Sequence, residues 1–318
     1  MDLRTEIIAL EAADRNDHAY RITTRECDDP LLRSVLRLGV LTPIVVKEAG
    51  ARFQIVSGFR RVEACWKSGV ENMPARIFPE DTPAVFCARL AIAENRFQRE
   101  LNLIEESRAL RLLMESTTSE EEFHSAAEAT GLSGSPKYWA QVARLCRMDE
   151  SLQAGIASGS ISLPIALELD RIVPELARRL GELFVSLGLS LNRQRDVLTW
   201  IREIAAREGV NPLEVLNGPE IQVVPEGGGD RNLRTRHLMD YLRRRRYPRI
   251  TEAEHQFSRL ERSMNLPENV SLIPPKGFES PTYTLQIRIR TPEDIDRSLG
   301  PLKTLSSHAD LVQLLRGS

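Results

Sequence analysis

The 318-residue sequence predicts an α+β protein in three parts. Strand-like and helical segments alternate between about residues 31 and 78, which is typical of a small α/β domain. Every periodic segment from there to about residue 207 has helical spacing, and two strand-like segments recur among helices near the C-terminus. We therefore expect a small α/β domain (1–114), an all-helical middle domain (115–217), a linker (218–234) and a small α+β domain (235–318).

The first domain is predicted element by element from its apolar spacing and glycines. After a polar opening without a predicted element, Leu31–Leu38 forms a helix that stops at Gly39. Two strands then follow at Val40–Lys47 and Phe53–Val56. The next helix runs from Gly58 to Gly69, and a third strand covers Met73–Phe78.

The rest of the chain is organised around the stretch Phe53–Arg61, FQIVSGFRR. A strand, a glycine and a helix start form an anion site, because the first N–H groups of a helix lack partners within it and the helix dipole favours negative charge. Gly58 lets the backbone approach a ligand. Arg60 and Arg61 point to different sides of the helix, so we expect one of them to reach a given phosphate. Taken alone, the motif equally fits an ordinary strand-helix junction.

The stretch LLRSVLRLGVLTPIVVKEAGARFQIVSGFRRVEACWKSGVENMPARI resembles the N-terminal domain of ParB-type partition proteins. The similarity continues into ENRFQRELNLIEESRAL, so it covers about residues 20–114. It implies a ParB/sulfiredoxin-like fold for this domain. The residues that match the sequence motifs of the family are Gly39, Pro43, Gly58, Arg60, Arg61, Ala64, Gly69 and Pro74.

The resemblance implies a DNA clamp that binds CTP with Mg²⁺. Glu94 and Asn95 would lie at the triphosphate and the metal, where carboxylate and amide oxygens suit magnesium. Glu94 would also be the candidate catalytic residue if the chain is a slow CTPase. The implied nucleotide-binding residues are Gly39, Thr42, Pro43, Gly58, Phe59, Arg60, Arg61, Asn95 and Arg99.

One departure from the family pattern concerns Arg99. The arginine expected three residues after Asn95 falls on Gln98, and Arg99 comes one position late, which is about 100° of rotation on a helix. Nucleotide hydrolysis, and even nucleotide binding, is therefore left open. A sulfiredoxin-like enzyme is disfavoured because the segment from Gly58 to Arg61 contains no cysteine. A ParB-like nuclease lacks support because no carboxylates or histidines cluster with metal spacing.

The middle domain contains a predicted helix-turn-helix. Glu120–Thr130 and Ser135–Arg147 are the two helices, and Ser135 with Pro136 marks the start of the second. The pattern alone favours a plain helical hairpin, but the resemblance implies a helix-turn-helix at this distance from the first domain. Its second helix would enter the major groove of double-stranded DNA. The candidate DNA contacts are Lys137, Tyr138, Gln141 and Arg144.

The C-terminal part carries the basic charge of the chain. Residues 231–318 contain 16 Lys and Arg against 10 Asp and Glu, whereas the first 230 residues contain 27 against 35. A dense basic run is therefore the best candidate for contact with the DNA backbone. Strands at Val270–Ile273 and Tyr283–Ile289, with helices on either side, loosely resemble a dimerising domain of the family. The basic run consists of Arg243, Arg244, Arg245 and Arg246.

Composition excludes several classes of protein. The four cysteines and five histidines form no zinc or disulfide pattern, and no apolar run approaches the length of a membrane span. We expect a soluble homodimer in the cytoplasm, associated with the nucleoid or a plasmid. The leading hypothesis is a site-specific ParB-like partition protein, and the resemblance also implies a ParA-type ATPase as partner. The alternative is a helix-turn-helix transcriptional regulator without nucleotide switching.

Overall fold

The computed structural model describes residues 4–218, 221, 230–305 and 308–316. The chain divides into two compact units, Met1–Arg195 and Asp196–Ser318. The predicted boundaries at residues 114, 217 and 234 stay predictions. Most of the predicted linker, at 219–220 and 222–229, lies outside the described residues. Within the described ranges, no helix is both long enough and apolar enough to cross a membrane.

A five-stranded sheet with the strand order β1-β5-β3-β4-β2 forms the first part of the first unit. β1 and β5 are antiparallel, as are β3 and β4, whereas β3 with β5 and β2 with β4 run parallel. Buried residues of the sheet and of the two helices that follow form one core. The strands are β1 (Arg4–Ala9), β2 (Ala13–Asp14), β3 (Ile44–Ala49), β4 (Arg52–Ser57) and β5 (Asn72–Phe78).

Strand β1 lies in the stretch that was predicted to be a polar opening without an element, so that prediction is wrong. All six residues of β1 pair with β5, from Arg4 opposite Ile77 to Ala9 opposite Asn72. In β1 Ile8 alone is buried. An edge strand that buries one side chain lacks the alternating apolar pattern by which strands are found in a sequence.

The two helices beside the sheet confirm the local predictions. α1 (Asp29–Leu38) begins after Asp28, whose side chain accepts a hydrogen bond from the N–H of Leu31. α2 (Phe59–Ser68) ends at Gly69 in the left-handed conformation. The strand predicted at Val40–Lys47 instead begins at Ile44, directly after a proline, which has no N–H to give to a sheet.

Helices account for the remainder of the first unit, as predicted. The second helix of the predicted helix-turn-helix ends at Val142, and a 3₁₀ turn at Leu145–Arg147 follows it. The rings of Phe123 and Trp139 meet edge to face, 5.4 Å apart, between α5 and α6. The helices are α3 (Ala84–Arg96), α4 (Leu103–Ser116), α5 (Glu120–Ala129), α6 (Pro136–Val142), α7 (Glu150–Ala157), α8 (Leu163–Leu169), α9 (Pro174–Leu187) and α10 (Leu191–Glu208), which crosses the unit boundary.

The second unit combines helices with a two-stranded antiparallel sheet of β6 (Val270–Ile273) and β7 (Thr284–Ile287). This order of elements confirms the predicted strand pair flanked by helices. A small apolar core includes Phe257, Leu260 and Leu272. The helices are α11 (Pro212–Leu216), α12 (Arg231–Arg246), α13 (Pro248–Met264), α14 (Pro292–Leu305) and α15 (Ala309–Arg316).

A buried carboxylate at the start of α4 joins distant segments of the first unit. The Glu105 side chain is fully buried, and the Arg99 guanidinium donates to its two oxygens at 2.5 and 2.6 Å. The N–H groups of Thr24 and Asn102 donate at 2.9 and 3.1 Å, and the Thr23 hydroxyl lies at 3.3 Å. Burial alone would raise the pKa of the Glu105 carboxyl, but these donors lower that pKa to about 2.

This shift predicts that Glu105 contributes to stability in a pH-dependent way. An ordinary glutamate in the unfolded chain has a pKa of about 4.3, so the difference corresponds to about 3 kcal/mol. Because the folded-state pKa is the lower one, this contribution is complete at pH 7 and is lost as the pH falls from about 5 to about 2. We expect Glu105→Gln to lower the free energy of unfolding by about 3 kcal/mol at pH 7 and by progressively less in acid, measured by urea denaturation.

The matched control is Glu115→Gln on the same helix. Glu115 is exposed and pairs with Arg111 one turn away, an arrangement worth about 0.5 kcal/mol or less. Equal effects of the two substitutions at pH 7 would contradict a special role for the Glu105 carboxylate.

Candidate functional site

The junction between β4 and α2 requires glycine. Gly58 has φ 102° and ψ 17° and is the N-cap of α2, which has no side-chain cap there. A Cβ atom at this position would lie 2.7 Å from Cγ2 of Ile44, which is too close for any side chain. The N–H groups of Arg61 and Val62 donate to the carbonyl oxygen of Gly58 at 2.8 and 3.1 Å. Those of Phe59 and Arg60 are the ones without partners inside the helix at this corner of the domain, as the sequence predicts for an anion site.

The side chain of Arg61 lies across this corner, by which we mean the junction of β4 and α2 at Gly58. Its guanidinium donates to the carbonyl oxygens of Thr42 and Pro43 at 2.8 and 2.7 Å and lies 3.4 Å from Oε2 of Glu94. Burial lowers the pKa of Arg61, and the charge of Glu94 opposes that shift. The Ser57 hydroxyl donates to the same Glu94 oxygen at 2.5 Å. The structure thus brings Thr42, Pro43, Gly58, Arg61 and Glu94 together, and adds Ser57.

Sequence reasoning missed Ser57, although it is a polar residue at the end of an apolar strand beside the key glycine. Its hydroxyl and the guanidinium of Arg61 both contact Oε2 of the Glu94 carboxylate. The carboxylate is therefore oriented before any ligand binds.

Arg60 lies on the other side of α2, as predicted. Its Nε donates to the carbonyl oxygen of Glu26 at 2.9 Å, and Nη2 pairs with Asp28 at 2.9 Å. The pKa of Asp28 is lowered, first by the N–H of Leu31 and then by the charge of Arg60. Arg60 is therefore already bound to an acidic partner near the start of α1.

Four other predicted nucleotide contacts lie apart from the corner or are otherwise engaged. The Asn95 amide donates back to the carbonyl oxygen of Ala91 within α3 at 2.8 Å. Arg99 is held by Glu105. The Phe59 ring lies 6.3 Å from the His18 ring. Gly39 is exposed after α1 with φ 74°.

The predicted metal ligands fit a magnesium ion that is shared with phosphate. Among the described residues, no three His, Cys, Asp or Glu side chains are grouped so that they could hold a metal by themselves. Mg²⁺ is usually bound by one or two carboxylates together with substrate phosphates and water. Glu94, pre-oriented beside Arg61, supplies one such carboxylate, and Asn95 is adjacent to it on α3.

A groove of about 1150 Å³ runs beside the Glu105 network. Residues 18–26 form one wall, and α4 with the segment around α7 forms the other. The corner residues Gly58, Arg61 and Glu94 do not line it. Its charged lining is mixed: Arg21, Arg25, Arg99, Arg108 and Arg111 against Glu26, Glu100, Glu115 and Glu150.

The predicted DNA contacts on α6 differ in their surroundings. Lys137 is exposed and Gln141 is half-buried. Arg144 forms an ion pair with Asp170 at 2.7 Å. The hydroxyl of Tyr138 donates to the carboxylate of Glu106 on α4, with the two oxygens at 3.1 and 3.2 Å.

The basic run at the end of α12 is largely paired with acidic residues of its own unit. Arg243 pairs with Glu254 and Arg245 with Glu208, each at 2.6 Å, and Arg246 pairs with Glu203. Arg245, by its hydrogen bonds, is the main cause of the lowered pKa of Glu208. Arg244 donates to the carbonyl oxygen of Asp240 at 3.4 Å. Much of the charge that predicted a DNA-backbone contact is thus balanced within the unit.

Comparison with known proteins supports the resemblance seen in the sequence. The family model described as the ParB N-terminal domain matches residues 8–96. The chromosome-partitioning protein ParB of Caulobacter vibrioides (strain NA1000 / CB15N) is 31% identical over 193 residues, which cover 59% of this chain and 60% of that protein. The probable plasmid-partitioning protein ParB of Thermus thermophilus is 26% identical over 233 residues, which cover 59% and 76%. The chain thus spans about 60% of the length of the Caulobacter relative.

Two solved structures of C-terminally truncated ParB from Caulobacter crescentus are also similar in sequence. The one complexed with CTP-gamma-S is 26% identical and covers 57% of this chain and 99% of that chain, with a TM-score of 0.27. The one complexed to the centromeric parS site is 28% identical and covers 59% and 95%, with a TM-score of 0.28. Both TM-scores are low. The domain match over residues 8–96 and the relatives together support a ParB-type partition protein.

Proposed function

We propose that this chain is a homodimeric, site-specific DNA-binding protein that binds CTP with Mg²⁺ and closes as a clamp in the partition of a chromosome, plasmid or mobile element. The observation that carries the proposal is the corner at Gly58, where Glu94 is pre-oriented by Ser57 and Arg61 beside a helix N-terminus. The corner lies in the part of the chain that matches the ParB N-terminal domain.

The corner suits a triphosphate on chemical grounds. Arg61 donates to two neutral carbonyl groups, and the same donors would form stronger hydrogen bonds with a charged phosphate oxygen. The N-terminus of α2 adds N–H donors and a favourable dipole. Bound Mg²⁺ would offset the charge of the triphosphate, with Glu94 and Asn95 as its proposed ligands. Glu94 is also the proposed catalytic residue for slow hydrolysis.

The DNA contact is proposed at the α5–α6 hairpin. Lys137 is exposed at the start of α6, which is the part of a second helix that enters the major groove in a helix-turn-helix. Gln141 and Arg144 follow on the same helix. Arg144 is paired with Asp170 on the same protein, so we expect Lys137 to make the larger contribution to phosphate contact.

Residues 235–318, which lie in the second unit, are the proposed dimerisation domain. A two-stranded sheet is marginal by itself, and β6 pairs with β7 alone among the described strands. Six large apolar side chains of this region are more than a third exposed, which a second copy of the chain would cover: Ile273, Leu285, Ile289, Ile295, Leu299 and Leu315. A ParA-type ATPase remains a proposed partner on the resemblance alone.

A transcriptional regulator of the same family without nucleotide switching is the second candidate. Two observations favour it: Arg99 is held by Glu105, and Arg61 lies across the proposed phosphate corner. Calorimetric titration of the chain with CTP, ATP and GTP in the presence of Mg²⁺ separates the two functions. Binding of CTP supports the clamp, whereas binding of no nucleotide alongside intact DNA binding leaves the regulator.

The phosphate corner is tested by Arg61→Ala, because Arg61 is the arginine that lies at the corner. Loss of a charged donor to phosphate is expected to weaken CTP binding by about tenfold or more, measured by calorimetry. The control is Arg89→Ala, because Arg89 is exposed on α3 and lies outside the proposed site. Unchanged affinity in Arg61→Ala would show that the phosphates bind elsewhere.

The basic run is tested by replacing Arg243, Arg244, Arg245 and Arg246 with Ala. Four lost phosphate contacts would reduce the slope of log affinity against log salt by about 3.6. Because Arg243, Arg245 and Arg246 are paired with glutamates and Arg244 donates to the carbonyl oxygen of Asp240, we expect a reduction far below that value. We also expect a lower melting temperature of the second unit. A reduction near the full value would place the run in the DNA interface.

A further inference from the structure

Two adjacent glutamates on α4 bind two residues that the sequence predicts to contact different ligands. Glu105 binds Arg99, a predicted phosphate contact, and Glu106 binds Tyr138, a predicted DNA contact. Successive residues of a helix point about 100° apart, so the two carboxylates reach different neighbours. One helix therefore contacts the nucleotide side and the DNA side of the first unit at adjacent positions.

Arg99 has little freedom to leave Glu105. Both of its terminal nitrogens donate to the carboxylate, at 2.5 and 2.6 Å, and one of them also approaches the Thr23 hydroxyl at 3.3 Å. The Glu105 side chain is fully buried. Turning Arg99 towards a phosphate would leave a buried carboxylate without its counter-charge, which is a costly state.

The environment of Tyr138 is likewise that of a packed residue. Its hydroxyl is used by Glu106, and its ring packs against the turn before α6, where a Cβ atom at Gly134 would lie 2.6 Å from Cδ1. Burial first, and then the charge of Glu106, raises the pKa of Tyr138 to about 12. The neighbouring Lys137 is exposed, so α6 presents a different side chain to solvent at its start.

The next two residues of α4 continue this pattern. The Ser107 hydroxyl accepts a hydrogen bond from the N–H of Cys146 at 2.9 Å. The Arg108 guanidinium donates both to the carbonyl oxygen of Thr23 and to the side chain of Gln153, each at 3.1 Å. Four consecutive residues, Glu105–Arg108, thus form polar bonds to both the α/β segment and the helical segment. We call them the α4 connector.

We propose that Arg99 and Tyr138 are positioning residues, held by Glu105 and Glu106, and that the α4 connector fixes the α5–α6 hairpin relative to the α/β domain. The inference rests on the proposed function for the identity of the two ligands. It leaves Arg61 as the arginine of the phosphate corner, and Lys137, Gln141 and Arg144 as the DNA contacts of α6.

The nucleotide arm of the test compares CTP, CDP and CMP by calorimetry with Mg²⁺ on the full chain. A positioning residue affects the binding of all three nucleotides equally. Arg99→Gln should therefore weaken each affinity by one common factor, and the ratio of CTP affinity to CMP affinity should stay within about threefold of the wild-type ratio. The control Arg61→Gln, at the proposed phosphate corner, should collapse that ratio. A loss of about tenfold or more for CTP in Arg99→Gln, with CMP unchanged, would overturn the assignment of Arg99. If the wild-type chain binds none of the three, the proposed nucleotide function fails by itself, and the DNA arm decides the inference.

The DNA arm uses a duplex that the wild-type chain selects from a random-sequence pool. Tyr138→Phe removes the donor and Glu106→Met removes the acceptor of the same hydrogen bond, so each should weaken DNA binding by a similar factor of about 3 to 10. The double variant should be no weaker than either single variant, and the salt slope should not change. The control Lys137→Ala should reduce that slope by about one.

Three outcomes would overturn the assignment of Tyr138. The first is weakened DNA binding in Tyr138→Phe but not in the Glu106 variant. The second is additive losses of DNA affinity in the double variant, and the third is unchanged DNA affinity in both single variants. Melting temperatures of all variants separate these outcomes from simple unfolding, and Tyr138→Phe keeps the packed ring against Gly134.

Discussion

The structure of the first unit depends on the cost of burying the Glu105 carboxylate. A buried charge is tolerated where it is paired and its remaining lone pairs are satisfied. The partners of Glu105 come from the segment at Thr23 and Thr24, from Arg99 after α3, and from the N-terminus of its own helix. These segments must meet for the charge to be buried, so one requirement of electrostatics fixes the path of the chain at the junction of the α/β and helical parts.

Local features of this fold could be predicted from the sequence where their cause is local. The turn at Gly58 is one case, because the φ of 102° and the contact with Ile44 exclude any residue with a Cβ atom. The start of α6 at Ser135 and Pro136 is another. Strand β1 could not be found in this way, because its pairing with β5 is a long-range property and its own residues bury one side chain.

The candidate site residues show the same difference between local features, which the sequence predicts, and long-range contacts, which it does not. Helical spacing placed Tyr138 and Arg245 on the correct helices, but their partners, Glu106 and Glu208, lie 32 and 37 positions away in the sequence. A basic segment produces a strong positive electrostatic potential only if acidic side chains are distant from it. The tertiary fold decides that distance. A count of arginines in the C-terminal part does not include partners such as Glu208, so the DNA contact of the basic run stays a prediction.

The α4 connector also explains why the contact between the α/β domain and the α5–α6 hairpin is polar, although apolar packing would suffice for stability. Apolar contacts are non-directional and tolerate small shifts of one helix against another, whereas hydrogen bonds to a carboxylate or hydroxyl weaken steeply with a change of angle. A junction built from Glu105, Glu106, Ser107 and Arg108 therefore defines one orientation of the α5–α6 hairpin on the α/β domain. A change at the start of α4 would break directional bonds to both the α/β and the helical segment at once. Such a junction favours discrete arrangements over a continuous range.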